Sequence, residues 1–274
     1  MKCCSVKDFA VKYPLAALVA ALIWPTLASG QAQVGVRIDH STARSQQSNT
    51  QGSSATVMLL RAGYDFRDFT LFAEVPFGFY SVSDDERAES QSEDAFSSGN
   101  LVVELGRTSR LSRQVRIDTR LKLYLPTLPE SDKAEQRALI NTAVLVRPEE
   151  SPMWSQEVFT AAPRIDIAID LAYWLEFSVR TTLYQTLGAE ENTSHLFLSP
   201  KLQLKVAGDG RLGVSYGVFD QIDEEADSLN WLALNGGFDK GRIQAGLEVR
   251  LRQNPDTFVD ALGTQFALYV GGRF

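Results

Sequence analysis

Apolar and polar residues alternate along most of this chain. Residues 114–126 show the pattern most clearly, because four charged residues share one of their two faces. The opposite face is apolar and consists of Val115, Ile117, Leu121, Leu123 and Leu125. Successive side chains of a strand point to opposite sides, so this period of two predicts a strand with one apolar and one charged face.

The same alternation predicts strands along the rest of the chain beyond residue 30. The predicted segments are 55–66, 69–80, 99–107, 136–147, 164–172, 174–184, 195–206, 241–252 and 263–274. A further predicted strand, 229–238, alternates poorly, so the sequence does not tell on which face Trp231 lies. The stretch 156–161 is a further candidate, with Pro163 near a chain reversal. Both termini should lie on one side of the membrane, which requires an even number of strands. We therefore expect 12–14 strands.

Three features favour a membrane barrel over a soluble sandwich. The predicted strands run to about 10–12 residues, which exceeds the usual ~5–6 and matches the length needed to cross a bilayer at a tilt. Their polar faces carry several charges in a row, which a dry core would not accept. Short and long connections also alternate. The sequence therefore predicts an all-β fold, a transmembrane antiparallel up-and-down β-barrel.

The first thirty residues are typical of a secretory signal peptide. Lys2, Lys7 and Lys12 precede an apolar stretch at 15–24, and small residues follow Pro25. We expect residues 1–30 to be removed by cleavage after Gly30 or after Ala32, and residues 31–274 to form the barrel. Both cysteines of the chain, Cys3 and Cys4, lie in this segment, so we expect no disulfide in the barrel.

The last nine residues indicate how the barrel would be assembled. An apolar face ends on an aromatic residue, in the manner of the terminal β-signal of bacterial outer-membrane proteins. This face consists of Phe266, Leu268, Val270 and Phe274. It predicts localisation in the bacterial outer membrane. The expected partners are the barrel-assembly machinery, outer-membrane lipid and lipopolysaccharide.

Composition excludes several other classes of protein. The 274 residues are 44% hydrophobic and 22% charged, with a net charge of −7. The acidic balance argues against nucleic acid as a partner. No run of about 20 apolar residues lies beyond residue 30, which argues against membrane-spanning helices.

The sequence offers little material for catalysis or cofactor binding. Its two histidines are His40, at the start of a predicted long loop, and His195, at the start of a predicted strand. Each has a neighbouring hydroxyl in sequence, but sequence neighbours on a strand face opposite ways and cannot form a nucleophile and base. No cysteine and histidine cluster has the spacing of a metal site. We therefore expect no enzyme activity, no cofactor and no metal.

Two predicted loops are strongly acidic. The residues concerned are Asp84, Asp85 and Glu86 in one loop, and Asp223, Glu224 and Glu225 in the other. Such runs are usually solvated surfaces. As functional groups, they would form an acidic rim that attracts cations or shares divalent ions with lipopolysaccharide phosphates.

Charged residues on the inward strand faces are the strongest functional signal. The candidates for lining the lumen are Glu74, Glu104, Arg116, Asp118, Arg120, Lys122, Arg180, Glu248 and Arg250. They could pair across a narrow barrel and plug it, or line a water-filled path. Arg116, Arg120 and Lys122 would form a ladder of like charges, which needs water or carboxylates nearby. Candidate partners are Glu74, Glu104, Asp170 and Glu248.

Three short stretches within residues 69–130 carry a family resemblance. They are Glu74–Tyr80 (EVPFGFY), Gly99–Leu101 (GNL) and Arg120–Thr127 (RLKLYLPT). In these stretches the chain resembles the MetA-pathway, phenol-degradation-type outer-membrane barrels, which are distant relatives of the fatty-acid-transporter channels. The resemblance implies passage of small, often hydrophobic or aromatic compounds. One departure is that a strand-like segment, 34–38, stands where those channels have an N-terminal plug.

The sequence therefore predicts a passive channel or uptake porin for a small-molecule solute. Two alternatives belong to other classes of protein. One is a structural or adhesive barrel that works through its long acidic loops. The other is a barrel hydrolase that uses His40 or His195.

Overall fold

The computed structural model describes residues 30–44, 51–84, 93–127, 148–155, 158–188, 192–206, 209–222, 228–252 and 264–274. The strands are β1 (Gln31–Arg44), β2 (Gln51–Phe66), β3 (Phe69–Asp84), β4 (Glu93–Ser98), β5 (Leu101–Arg110), β6 (Val115–Leu125), β7 (Phe159–Ala172), β8 (Leu175–Leu187), β9 (Asn192–Val206), β10 (Gly210–Gln221), β11 (Leu229–Lys240), β12 (Ile243–Arg252) and β13 (Thr264–Arg273). A 3₁₀ helix, Pro148–Met153, precedes β7.

The strands close into a twelve-stranded barrel. Apart from β4 and β5, strands that follow one another in sequence pair antiparallel, and β1 pairs with β13 to complete the ring. β4 and β5 both pair with β3, β4 along Phe77–Val82 and β5 along Phe69–Glu74. They therefore occupy one position in the wall, interrupted at Gly99 and Asn100. The predicted all-β transmembrane barrel is confirmed, with twelve strands of the expected twelve to fourteen.

The closing seam continues to the last residue of the chain. Val36 of β1 lies opposite Val270 of β13. At the end of the seam, the Phe274 N–H donates to the Ala32 carbonyl at 2.8 Å, and the Ala32 N–H donates to the Phe274 carbonyl at 3.1 Å. Because an unpaired backbone group in lipid costs several kcal/mol, these bonds protect the end of the ring.

The strand faces are sorted as the alternation predicts. Ile165, Ile167 and Ile169 of β7 are between 36% and 49% exposed on the outer surface, where lipid covers them. Arg164 and Asp166, which alternate with these isoleucines, face the interior and line its cavities. The interior is therefore polar in a region that a soluble barrel would fill with apolar side chains.

Connections at the two ends of the barrel differ in length. One end has the short connections 67–68, 111–114, 173–174, 207–209 and 241–242, and we call it the short-turn end. The other end, the long-connection end, has the connections 45–50, 85–92, 126–158, 188–191, 222–228 and 253–263. In the short turns, Gly241 has φ +61°, a conformation that glycine adopts without steric cost.

The region before β7 corrects one part of the prediction. Residues 159–161 belong to β7 and do not form a separate strand, and Pro163 lies inside β7, opposite Leu121, with no reversal. Proline has no N–H to donate, and the pairing with β8 skips Ala162 and Pro163 before resuming in the same register. The predicted strand 136–147 and the predicted signal peptide up to residue 29 lie outside the described residues.

Among the residues that the structure describes, no helix is long and apolar enough to cross a membrane.

We expect deletion of Phe274 to reduce the amount of folded barrel. The deletion removes both backbone bonds at the end of the seam and the aromatic side chain that ends the predicted β-signal. The folded fraction can be measured as the heat-modifiable band on a gel of outer-membrane fractions. The control is Phe274→Trp, which keeps the backbone and an aromatic side chain. Normal accumulation of the deletion variant would contradict the β-signal assignment.

Candidate functional site: a charged lumen with an inner segment

A belt of charged side chains surrounds the middle of the lumen. The belt lines a cavity of about 330 Å³. Its members are Arg37, Arg61, Glu74, Glu104, Arg120, Lys122, Glu149, Glu150, Arg164, Arg180 and Arg250. Seven cations and four carboxylates line the cavity, and carboxylates just outside this lining, Asp39, Asp166 and Glu248, pair with several of the cations.

Ion pairs between strands one or two positions apart in the wall hold one side of the belt. Glu104 of β5 accepts from Arg120 Nη1 at 2.5 Å and from Arg61 Nη2 at 3.1 Å. Glu74 of β3 lies 3.1 Å from Lys122 Nζ. Both carboxylates are almost completely buried, so removing a cation would leave an uncompensated charge in a poorly solvated place. Arg120 and Lys122 are therefore held by the two carboxylates that the sequence named as candidate partners.

Two other residues from the sequence prediction, Arg116 and Asp170, do not pair with each other, and Arg116 pairs with none of the other candidate partners. Arg116 lies 3.7 Å from Glu176 and 3.8 Å from its strand neighbour Asp118. Asp170 pairs with Lys205 instead.

Two further pairs complete this part of the lumen. Arg180 Nε donates to Asp166 at 3.0 Å, and Arg250 Nε donates to Glu248 at 2.7 Å. On β6, each of the three like-charged residues Arg116, Arg120 and Lys122 lies near a carboxylate.

Residues Pro148–Ser155 enter the barrel interior, and we call them the inner segment. Two ion pairs connect it to the wall. Glu149 accepts from Arg250 Nη1 of β12 at 2.6 Å, and Glu150 accepts from Arg37 of β1. Because the two arginines lie on either side of β13, the inner segment bridges the closing seam from within.

Asn100 holds the opposite side of the inner segment. Its Nδ2 donates to the Ser155 carbonyl at 2.6 Å and to the Pro152 carbonyl at 3.1 Å. Its backbone N–H donates to the Met153 carbonyl at 2.6 Å. A Cβ at the preceding Gly99 would lie 2.6 Å from that same carbonyl, so only glycine fits there. The break between β4 and β5 is therefore the place where the wall binds the inner segment.

Apolar side chains surround the inner segment in the half of the barrel nearer the long connections. Met153 and Trp154 are buried at its centre. The surrounding residues, which form one packed cluster with them, are Ala55, Val57, Leu59, Val102, Tyr124, Ala162, Tyr184, Phe197, Phe219, Trp231 and Ala233. We call this cluster the apolar girdle. It closes that half of the lumen around Trp154, and the charged belt lies below it.

The two histidines occupy unrelated places. His40 lies within β1, not at a loop as expected, and its Nδ1 is 3.0 Å from the Thr56 hydroxyl. His195 of β9 stacks on Phe219 with ring centroids 5.0 Å apart. In the part of the chain that the structure describes, no group of three or more His, Cys, Asp or Glu residues could hold a metal ion.

The structure places the remaining predicted sites only in part. Phe266, Leu268, Val270 and Phe274 are all exposed on the outer surface of the seam. The acidic residues Asp85, Glu86, Asp223, Glu224 and Glu225, and the side chain of Asp84, lie outside the described residues.

Sequence reasoning named Arg250 but missed the other residues that bind the inner segment, and it missed Arg61 of the charged belt. Arg37 and Arg61 could have been found, because they interrupt apolar stretches of β1 and β2 with a charge on the inward register. Glu149, Glu150 and Asn100 carry no such signal, since the inner segment has no periodicity and its partners are distant in sequence.

Solved structures share this architecture. The sequence matches no protein-family model and no curated protein. The COG4313 outer membrane channel from Pseudomonas putida F1 aligns with a TM-score of 0.62 at 12% identity, covering 91% of this chain and 97% of that one. The NanC porin aligns at 0.54 with 8% identity, over 88% of this chain and 100% of its own. The KdgM porin aligns at 0.52 with 11% identity, over 88% and 99%.

The chain has the fold of outer-membrane β-barrels. The predicted localisation agrees with this fold, which is also the one that the resemblance at residues 69–130 implies. At these identities the likeness concerns the fold, so the function of this outer-membrane barrel has to be argued from its own lumen.

We expect Glu104→Gln to destabilise the barrel by about 3 kcal/mol, because it leaves Arg61 and Arg120 facing a neutral amide in a buried place. The measurement is the temperature at which the compact gel band converts to the unfolded one. The matched control is Asp239→Asn, whose pair with Arg273 is one-third exposed on both sides and should contribute about 0–1 kcal/mol. Equal shifts for the two variants would contradict the buried network.

Proposed function

We propose that this barrel is a passive channel for small molecules. The observation that carries the proposal is the charged lumen itself, which retains cavities of about 330 and 310 Å³ between its walls. A barrel of twelve strands has more interior than side chains alone fill. Charged groups in such a space need water as well as partners, and a hydrated interior across a membrane is a route for solutes.

The inner segment determines when this route is open. Among the residues that the structure describes, it fills the apolar girdle, so that solutes reach the charged belt from the short-turn end. Its attachments include two ion pairs and the hydrogen bonds of Asn100, each of which can break without breaking the backbone ladder of the wall. The proposed channel therefore opens by displacement of the inner segment.

The lumen favours polar or charged solutes. The hydrophobic or aromatic compounds that the family resemblance implies would fit the apolar girdle, but they would then have to cross the charged belt. Desolvating ion pairs without replacing their water is costly, so apolar solutes gain little from this route. We therefore assign the channel to small polar molecules.

A structural barrel is the second candidate. The observation in its favour is the same inner segment, since Met153 and Trp154 are fully buried and could plug the lumen permanently. The two functions differ in one measurable property, which is whether the folded protein conducts ions.

We expect the double variant Glu149→Gln, Glu150→Gln to show larger single-channel conductance in a planar bilayer than the unmodified protein. The changes remove both ion pairs of the inner segment. Arg250 keeps Glu248 at 2.7 Å and Arg37 keeps Asp39 at 2.9 Å, so the barrel should still fold.

The control for this experiment is Asp209→Asn, a carboxylate-to-amide change in an exposed short turn that leaves the inner segment and the lumen lining untouched. It should conduct like the unmodified protein. If folded preparations of both the double variant and the unmodified protein leave the bilayer sealed, the channel proposal is wrong and the structural barrel is correct.

A further inference from the structure

A recess lies in the wall formed by β9 to β12, on the short-turn side of the charged belt. Small residues on the inward faces create it, because they leave space where other wall positions carry long side chains. They are Gly213, Ser215, Gly237 and Gly246. Lys201, Gln203, Arg211 and Asn235 line both this recess, with a cavity of about 450 Å³, and the adjoining cavity of about 310 Å³.

Two cations of the recess have no carboxylate of their own. Among the residues that the structure describes, Lys201 and Arg211 take part in no ion pair or side-chain hydrogen bond, whereas the cations of the charged belt each have a partner. The carboxylates nearby are already engaged. Glu248 pairs with Arg250 at 2.7 Å, and Glu176 lies 3.7 Å from both Arg116 and Lys205.

Neutral polar groups stand next to these two cations. Gln203 of β9 and Asn235 of β11 both lie directly opposite Gly213 of β10, one on each side. A Cβ at Gly213 would lie 2.7 Å from Asn235 Oδ1 and 3.1 Å from Lys201 Cε. Because Gly213 has no side chain, the amide of Asn235 and the end of the Lys201 side chain can both lie next to it.

We propose that this recess is a binding subsite for small hydroxylated carboxylates, such as sugar acids. Lys201 and Arg211 supply the positive charge for the carboxylate, and charge-assisted hydrogen bonds are the stronger kind. Gln203 and Asn235 supply amide groups that both donate to and accept from hydroxyls. The subsite deepens the proposed channel function, since it names the class of solute and the place where the solute pauses.

The charge balance of the lumen supports an anion over a cation. Each carboxylate that faces the belt is matched by at least one cation, and two positive charges then remain in the recess. Two like charges without carboxylate partners repel each other and attract an anion. A neutral sugar would gain the amide contacts but would leave both charges uncompensated.

The test measures binding directly, so it does not depend on conductance. Isothermal titration calorimetry of the folded barrel in detergent compares gluconate with glucose and with inorganic phosphate. We expect gluconate to bind at least about tenfold more tightly than glucose, and the double variant Lys201→Gln, Arg211→Gln to lose about tenfold in gluconate affinity. The matched control, Arg113→Gln with Arg242→Gln, removes the same charge at two exposed short turns and should bind gluconate normally.

Each other result overturns a defined part of the proposal. Equal gluconate affinity in the Lys201 and Arg211 variant and in the unmodified protein would remove the subsite. Glucose binding as tight as gluconate would remove the role of charge, and tighter binding of phosphate would replace carboxylates by phosphate as the ligand. A sealed bilayer together with specific gluconate binding would reject the channel and leave the subsite standing.

Discussion

Closure of the backbone ladder between β1 and β13 is the constraint on which the rest of this structure depends. In lipid no water can satisfy an exposed N–H or C=O, so the sheet has to end where it began. Once the ring is closed, every strand must present one face to lipid and the other to a shared interior. The charged residues that alternate with leucine and isoleucine along the chain therefore face one lumen, where many of them form ion pairs with one another.

Much of this architecture could be predicted from the sequence, because apolar and polar residues that alternate with a period of two indicate two-faced strands directly. The alternation at 114–126 corresponds to β6, and that at 241–252 corresponds to β12. Pro163 misled the prediction, since proline usually marks a turn, whereas here it occupies a position of β7 at which no bond to β8 is made. The face of Trp231 could not be predicted from its poorly alternating strand, and the structure turns it inward.

The interior was less predictable for a physical reason. Alternation tells which side chains point inward, but the register between strands decides which of them meet. Arg116 therefore pairs with Glu176, two strands away, rather than with a nearer candidate. The inner segment was beyond prediction altogether, because its carboxylates find arginines more than 100 residues away along the chain. The subsite in the recess could be predicted only in part. The alternation of its strand indicates that Lys201 points inward, but whether Lys201 has a partner depends on the folded barrel.

The inner segment also acts on the order in which this barrel can be completed. Its two carboxylates bind Arg37 of β1 and Arg250 of β12, the two strands that flank β13, and these arginines approach each other only when the ring is closed. In an unfinished barrel the two arginines are not both in place, so the inner segment can bind fully only after the ring has closed. A chain whose final strand is missing or misaligned would consequently have an open sheet edge and an inner segment that is not held in the lumen. Closure of the ring and blockage of the lumen therefore depend on the same strand.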